Sequence, residues 1–121
     1  MSESDELKGG ILRVLILSEL ALGENYGWGI AEAVKRKSGY ELTLRVESLY
    51  PVLHDLENRG ALACRWVEAE NGRPRKMYSL TDKGRRQAER AIASFKKTAG
   101  AAMKVVDHAA APDTLLEGSA V

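Results

Sequence analysis

Two groups of side chains in this sequence carry donors suited to an anionic, base-bearing partner. Arg45, Ser48, Tyr50 and His54 fall close together, and Arg73, Arg75 and Lys76 follow the dipeptide Asn71-Gly72. Guanidinium, ammonium, hydroxyl and imidazole groups of this kind bond phosphate oxygens and base edges. The chemistry of an enzyme is missing. His54 and His108 are the only histidines, and neither has a second histidine or a cysteine at metal-ligand spacing. Cys64 is the sole cysteine, and there is no glycine-rich phosphate loop and no G-x-S-x-G turn. The expectation is a binding protein, not an enzyme, with no metal and no other cofactor.

Charge points the same way. The net charge of the 121 residues is only +1. Residues 71–97, however, hold nine bases (Arg73, Arg75, Lys76, Lys83, Arg85, Arg86, Arg90, Lys96 and Lys97) against Asp82 and Glu89, a net +7. Residues 1–34 hold six acids against Lys8 and Arg13, a net −4. A basic half hidden in a neutral average is a footprint of polyanion binding; the alternative is a solvated charged helix. The longest apolar run, Val14 to Leu17, cannot span a bilayer, and the acidic start MSESDELKGG is no secretory signal. A lone cysteine forms no disulfide frame, so a cytoplasmic location is expected.

The elements that must hold these side chains follow from periodicity. Leu7, Ile11, Leu15 and Leu20, with Leu12, Val14 and Leu17, fit a helix over residues 7–22. A second runs from about Trp28 to Lys37, with Ile30, Ala31 and Val34 as its stripe and Gly39 as its stop. A third spans residues 46–59, where Leu49, Val52, Leu53 and Leu56 mark the buried face and Gly60 ends it. Pro51 leaves two options: regular helix begins near Ser48, or it begins near Val46 and bends at the proline. Either way Arg45, Glu47, Ser48 and Tyr50 stand at its N-terminal end. Two helices crossing through a short link make a helix-turn-helix, whose second helix can enter a major groove.

Residues 42–44 (Leu-Thr-Leu) could add a small strand. Leu62, Cys64 and Trp66 alternate onto one face of a strand, where Cys64 is expected to be buried, and residues 77–80 supply a second strand. Between them Asn71-Gly72 is a strong turn dipeptide, because both residues tolerate positive φ, and Pro74 delays pairing. A hairpin with Arg73, Arg75 and Lys76 at its tip, directly after a reading helix, is a wing.

A last helix should start at the N-cap Thr81. Its positions Ala88, Ile92, Phe95, Ala99, Ala102 and Val106 repeat at spacings of 4, 3, 4, 3 and 4, a heptad seam. That seam suits a second copy of the chain, or the first helix of the same chain, or both. Tyr26, Trp28 and Trp66 are aromatic surfaces expected near the junction of domain and dimer, where they would suit a small flat aromatic effector. The fold class is therefore mainly α with a small β-hairpin (α+β). Residues 1–6 form a disordered N-terminus, 7–80 a winged helix-turn-helix, 81–111 a C-terminal dimerisation helix, and 112–121 a flexible tail.

LeuTyrProValLeuHisAspLeuGlu (49–57), then Gly60, then GlyArgProArgLysMetTyrSerLeuThrAspLysGly (72–84) resemble the PadR family of bacterial winged-helix transcriptional regulators. TyrGlyTrpGlyIle (26–30) looks like that family's histidine-glycine-tyrosine motif at the second helix. The resemblance covers residues 7–84, followed by a short C-terminal helical region as in small members. It implies a homodimer on a palindromic operator of double-stranded DNA, repression in most members, and release by small molecules in some. By motif position Ser48 and Tyr50 carry over as recognition-helix contacts, and Arg73, Arg75 and Lys76 as wing contacts. Tyr26, Trp28 and the segment Arg45-Val46-Glu47-Ser48 depart from the family pattern, so the operator sequence does not carry over. An alternative use of the same fold is docking on a protein, without specific DNA binding.

Overall fold

Apolar side chains at helical spacing draw three helices around one core. The computed structural model describes residues 10–110, in the order α1 (Gly10–Leu22), α2 (Gly27–Lys37), α3 (Val46–Asn58), β1 (Leu62–Glu68), β2 (Pro74–Leu80) and α4 (Asp82–Ala110). The expected disordered start, the first residues of the helix begun at Leu7, and the tail 112–121 lie outside the described residues. Leu12, Ile16, Leu17 and Leu20 of α1, Ile30 and Val34 of α2, and Leu49, Leu53 and Leu56 of α3 are buried together. Each burial of a leucine or isoleucine contributes about 1.5–3 kcal/mol relative to exposure.

Both internal helix stops close in the same way. At the end of α2, Tyr40 N–H bonds to Lys35 O at 2.8 Å and Gly39 N–H to Arg36 O at 3.1 Å. At the end of α3, Ala61 N–H bonds to Leu56 O at 2.9 Å and Gly60 N–H to Glu57 O at 3.0 Å. These paired closures satisfy the last carbonyls and require a left-handed residue, which Gly39 (φ 67°) and Gly60 (φ 81°) provide. The glycines stand where the sequence placed the stops.

β1 and β2 pair antiparallel from Leu62↔Leu80 to Glu68↔Pro74. Pro74 closes the ladder instead of delaying it, because it needs no N–H at that end. The turn forms at Asn71-Gly72, as expected. Gly72 N–H bonds to Ala69 O at 2.9 Å and Ala69 N–H to Arg73 O at 2.8 Å, and only Gly72 has positive φ, at 81°. This is a three-residue hairpin loop with glycine at the left-handed position. Asn71 keeps an ordinary φ and accepts the Arg73 N–H on its side chain at 3.0 Å. Residues 42–44 form no strand. Leu44 is buried in the core and Leu42 packs against it, so their side chains dock and their backbone does not pair. The hairpin's extra partner is Asn25, whose backbone exchanges bonds of 3.0 and 2.8 Å with Tyr78.

Thr81 caps α4 by accepting the Gly84 N–H at 3.0 Å, and its hydroxyl donates toward Gly60 O at 2.7 Å. The cap thus joins the start of α4 to the end of α3. Thr81→Ala is expected to lower stability by about 1–2 kcal/mol in a denaturant titration, with the slope unchanged. The helix itself has 29 residues, about 43 Å at the usual rise. It packs on α1 and β2. Ala88 and Ile92 of the heptad seam are taken up by the chain's own core, Ala88 at 1% exposure. Ala88, a candidate dimer contact, therefore follows the other reading of the seam, packing within its own chain. Farther along, Met103 and Val106 are exposed.

Candidate nucleic-acid interface

Regular helix in α3 begins at Val46, with Pro51 inside it. This decides between the two starts that the sequence left open. The proline has no N–H for the Glu47 carbonyl one turn back. Arg45 is the N-cap, in extended conformation (φ −80°, ψ 136°) and with no side-chain cap bond. An uncapped first turn leaves amide N–H groups for an outside acceptor. Leu49, Leu53 and Leu56 fix the buried side of α3, and this turns Tyr50 and His54 outward. Arg45, Tyr50 and His54 are exposed; Ser48 is half-buried. Glu47 is exposed beside them and is the one acid of the first turn. Gly27 at the start of α2 is buried, and a Cβ there would meet the Tyr50 ring at 3.3 Å, so the small residue lets Tyr50 lie close to α2.

The three wing cations have different surroundings. Arg73 is exposed at the turn. Arg75 lies with its guanidinium carbon 3.9 Å from the centre of the Tyr26 ring, a cation–π stack that holds the side chain without neutralising it. Lys76 donates to Glu57 Oε1 at 3.0 Å and lies 5.2 Å from the Tyr78 ring centre. Among the described residues Arg73 and Arg75 form no ion pair, whereas Lys76 does. Lys76 is thus tied to the end of α3 and fixes the wing against it.

Glu57 serves two partners. The Cys64 thiol donates to its Oε2 at 3.1 Å, and Lys76 holds its other oxygen. Those two hydrogen bonds keep the Glu57 carboxyl below its usual value. The same contacts push the Cys64 thiol up, through the Glu57 hydrogen bond, and hold Lys76 more firmly protonated. Cys64 is exposed, contrary to the expectation of burial. Leu62, Cys64 and Trp66 do share a face, but only Leu62 lies under the helices; Trp66 is 66% exposed.

Tyr26, Trp28 and Trp66 come together at one cleft. Tyr26 and Trp28 stack with ring centres 6.1 Å apart and an interplanar angle of 26°. Together with Tyr50, Trp66, Arg73 and Arg75 they line a cleft of about 380 Å³ between the start of α2, α3 and the wing. The cleft therefore brings Tyr50 of α3 together with the wing cations. A separate groove of about 690 Å³ runs between α1 and α4, lined by Ile11, Val14, Phe95, Ala99, Ala102 and Met103. No tryptophan borders it. The part played by Ile11 and Val14 in that groove was not singled out from sequence, because the apolar residues of α1 cover more than one face and periodicity does not separate core from groove.

Among the described residues there is no group of three His, Cys, Asp or Glu side chains arranged to hold a metal ion, and no helix long and apolar enough to cross a membrane.

Comparison with known proteins identifies this arrangement. A search of curated protein sequences returned no significant match. Residues 16–90 match the model of the transcriptional regulator PadR-like family. A PadR-like transcription factor from Bacteroides fragilis is 30% identical, with 84% of this chain and 95% of that chain aligned at a TM-score of 0.67. Bacillus subtilis PadR, solved in complex with operator DNA, is 28% identical over 69% of this chain and 46% of that chain, at a TM-score of 0.60. A transcriptional regulator from Clostridium thermocellum shares the fold at a TM-score of 0.71 and 24% identity, over 86% of this chain and 96% of that one. The fold is that of PadR-like winged-helix regulators, and the chain belongs to the PadR family of transcriptional regulators, which are not enzymes.

Proposed function

We propose that this chain is a cytoplasmic, homodimeric, sequence-specific DNA-binding regulator, acting as a repressor at a palindromic operator. One observation carries the reading. Tyr50 of α3 and the unpaired wing cations Arg73 and Arg75 border one cleft whose lining holds no carboxylate. The Bacillus subtilis relative in complex with operator DNA supports the same use of the fold. In this reading α3 enters the major groove. Tyr50 and His54 meet base edges, while Ser48 and Arg45 meet base or phosphate. The wing places Arg73 and Arg75 on the neighbouring minor groove or backbone, with Lys76 steadying it. Two copies joined along α4 would meet half-sites one helical turn, about 10 bp, or a multiple of it apart.

Arg73→Ala tests the wing. It is expected to weaken operator binding and to flatten the dependence of log affinity on log salt by about 2 for a dimer, since each lost phosphate contact removes about 0.9. Unchanged affinity and slope would remove the wing from the mechanism.

A second reading concerns control. The cleft bounded by Tyr26, Trp28 and Trp66 has the size and the flat apolar walls to take a small aromatic effector. Titration of indole fluorescence with aromatic compounds tests it: saturable quenching supports an effector, and none supports regulation without one.

A further inference from the structure

The two tryptophans are the largest side chains of the fold, and both lie in the open. Trp28 is 55% exposed and Trp66 66%. Large apolar surfaces left in water around one cleft mark a contact surface. Three features say what the contact is. The cleft they border carries Arg73 and Arg75, which form no ion pair among the described residues, and no acid, so its partner is anionic. Its walls are flat rings, and Trp28 is already stacked on Tyr26, which also holds Arg75. It is continuous with Tyr50 on the helix proposed to read bases. A chain of phosphates joined by deoxyribose rings, each with an apolar C–H surface, matches that combination of cations and ring faces.

We infer that Trp28 and Trp66 are the apolar packing element of the DNA interface, laying their indoles on the deoxyribose rings and base edges of the strand that lies between the wing and α3. The inference rests on the DNA-binding reading and adds a component to it. Contacts of arginine with phosphate weaken steeply with salt, because they release counterions. Indole packing on sugar and base does not. The two tryptophans therefore supply affinity that persists as salt rises, and Tyr26 positions Trp28 and Arg75 together for it.

The test uses the full chain and a duplex selected by the wild type from a random pool. Trp66→Ala and Trp28→Ala are each expected to bind that duplex about tenfold more weakly with the salt slope unchanged. Trp66→Phe should recover most of the loss, and the wild-type indole emission should change on adding duplex. Trp66 lies outside the core, so melting temperature should hold; if an alanine variant melts early, the phenylalanine variant and the wild-type emission carry the test. Wild-type affinity in both alanine variants, with no emission change on DNA, would overturn the inference, as would a loss of salt slope matching that of Arg73→Ala. Emission that responds to an aromatic carboxylate such as benzoate but not to duplex would make the cleft a small-molecule site, and would also overturn it. If the wild type enriches no duplex, DNA binding itself fails and this inference with it; failure confined to the tryptophan variants counts against this inference alone.

Discussion

Gly84→Ala lowers the melting temperature by roughly 10–20 °C, corresponding to about 3 kcal/mol for a domain of this size. The reason is space. Gly84 is buried in the first turn of α4, and a Cβ built there would overlap the Ala61 carbonyl oxygen and come within 2.9 Å of its carbon. Both are backbone atoms, so no side chain can rotate away. The same carbonyl accepts the Thr81 N–H at 3.0 Å, and Lys83 reaches Arg59 O at 2.7 Å, so the start of α4 is bonded to the end of α3 at several points. An added methyl must push that junction apart. Calorimetry checks the result, and a melting temperature within about 2 °C of wild type would mean that the two helices do not meet this closely.

For the proposed dimer, Phe95→Asp is expected to reduce the mass to that of one chain and to weaken operator binding by roughly a hundredfold. Phe95 is 38% exposed and sits on the groove between α1 and α4 with Ile11, Ala99, Ala102 and Met103. Val106, eleven residues beyond Phe95 on the same seam (106 − 95), is 52% exposed. A carboxylate placed in such a seam must either be desolvated without a partner or keep the two copies apart. Separate chains then hold one half-site each and lose the gain of linked binding. Light scattering on the eluted protein measures the mass and anisotropy the affinity. A dimer that survives the substitution would assign the groove to packing within one chain.

Much of this was legible in the sequence, for physical reasons that can be named. The stripes of Ile30 and Val34 and of Leu49, Leu53 and Leu56 place α2 and α3, because a helix buries every third or fourth residue. Gly39, Gly60 and Thr81 mark ends because each meets a local backbone need. What failed depended on contacts distant in sequence. Alternation puts Cys64 on the face of Leu62, but only the packing of α3 decides how far along that face the cover extends. Asn25 pairs with Tyr78 through backbone atoms, which leave no compositional trace, whereas the β-favouring residues 42–44 dock by side chains alone. Ala88 fits the heptad seam as well as Phe95 does, and only the arrangement of α1 and α4 separates the buried end from the open one. Asn71-Gly72 signalled a turn correctly; its length, a three-residue loop, was fixed by the backbone bonds between Ala69 and Arg73. The candidate site followed the same division. Tyr50 and the wing arginines were found by type and position, while their union with Trp28, Trp66 and Tyr26 in one cleft required the fold.

The most direct test of the central claim is fluorescence anisotropy of the purified protein on DNA from upstream of its own and neighbouring genes, at two salt concentrations, with an unrelated duplex as competitor. The account predicts tight binding to one fragment that resists the competitor and weakens steeply with salt, as several phosphate contacts require. Binding that is indifferent to both sequence and salt would contradict it, and the exposed Glu47 beside Tyr50 would then fit a surface that docks on protein.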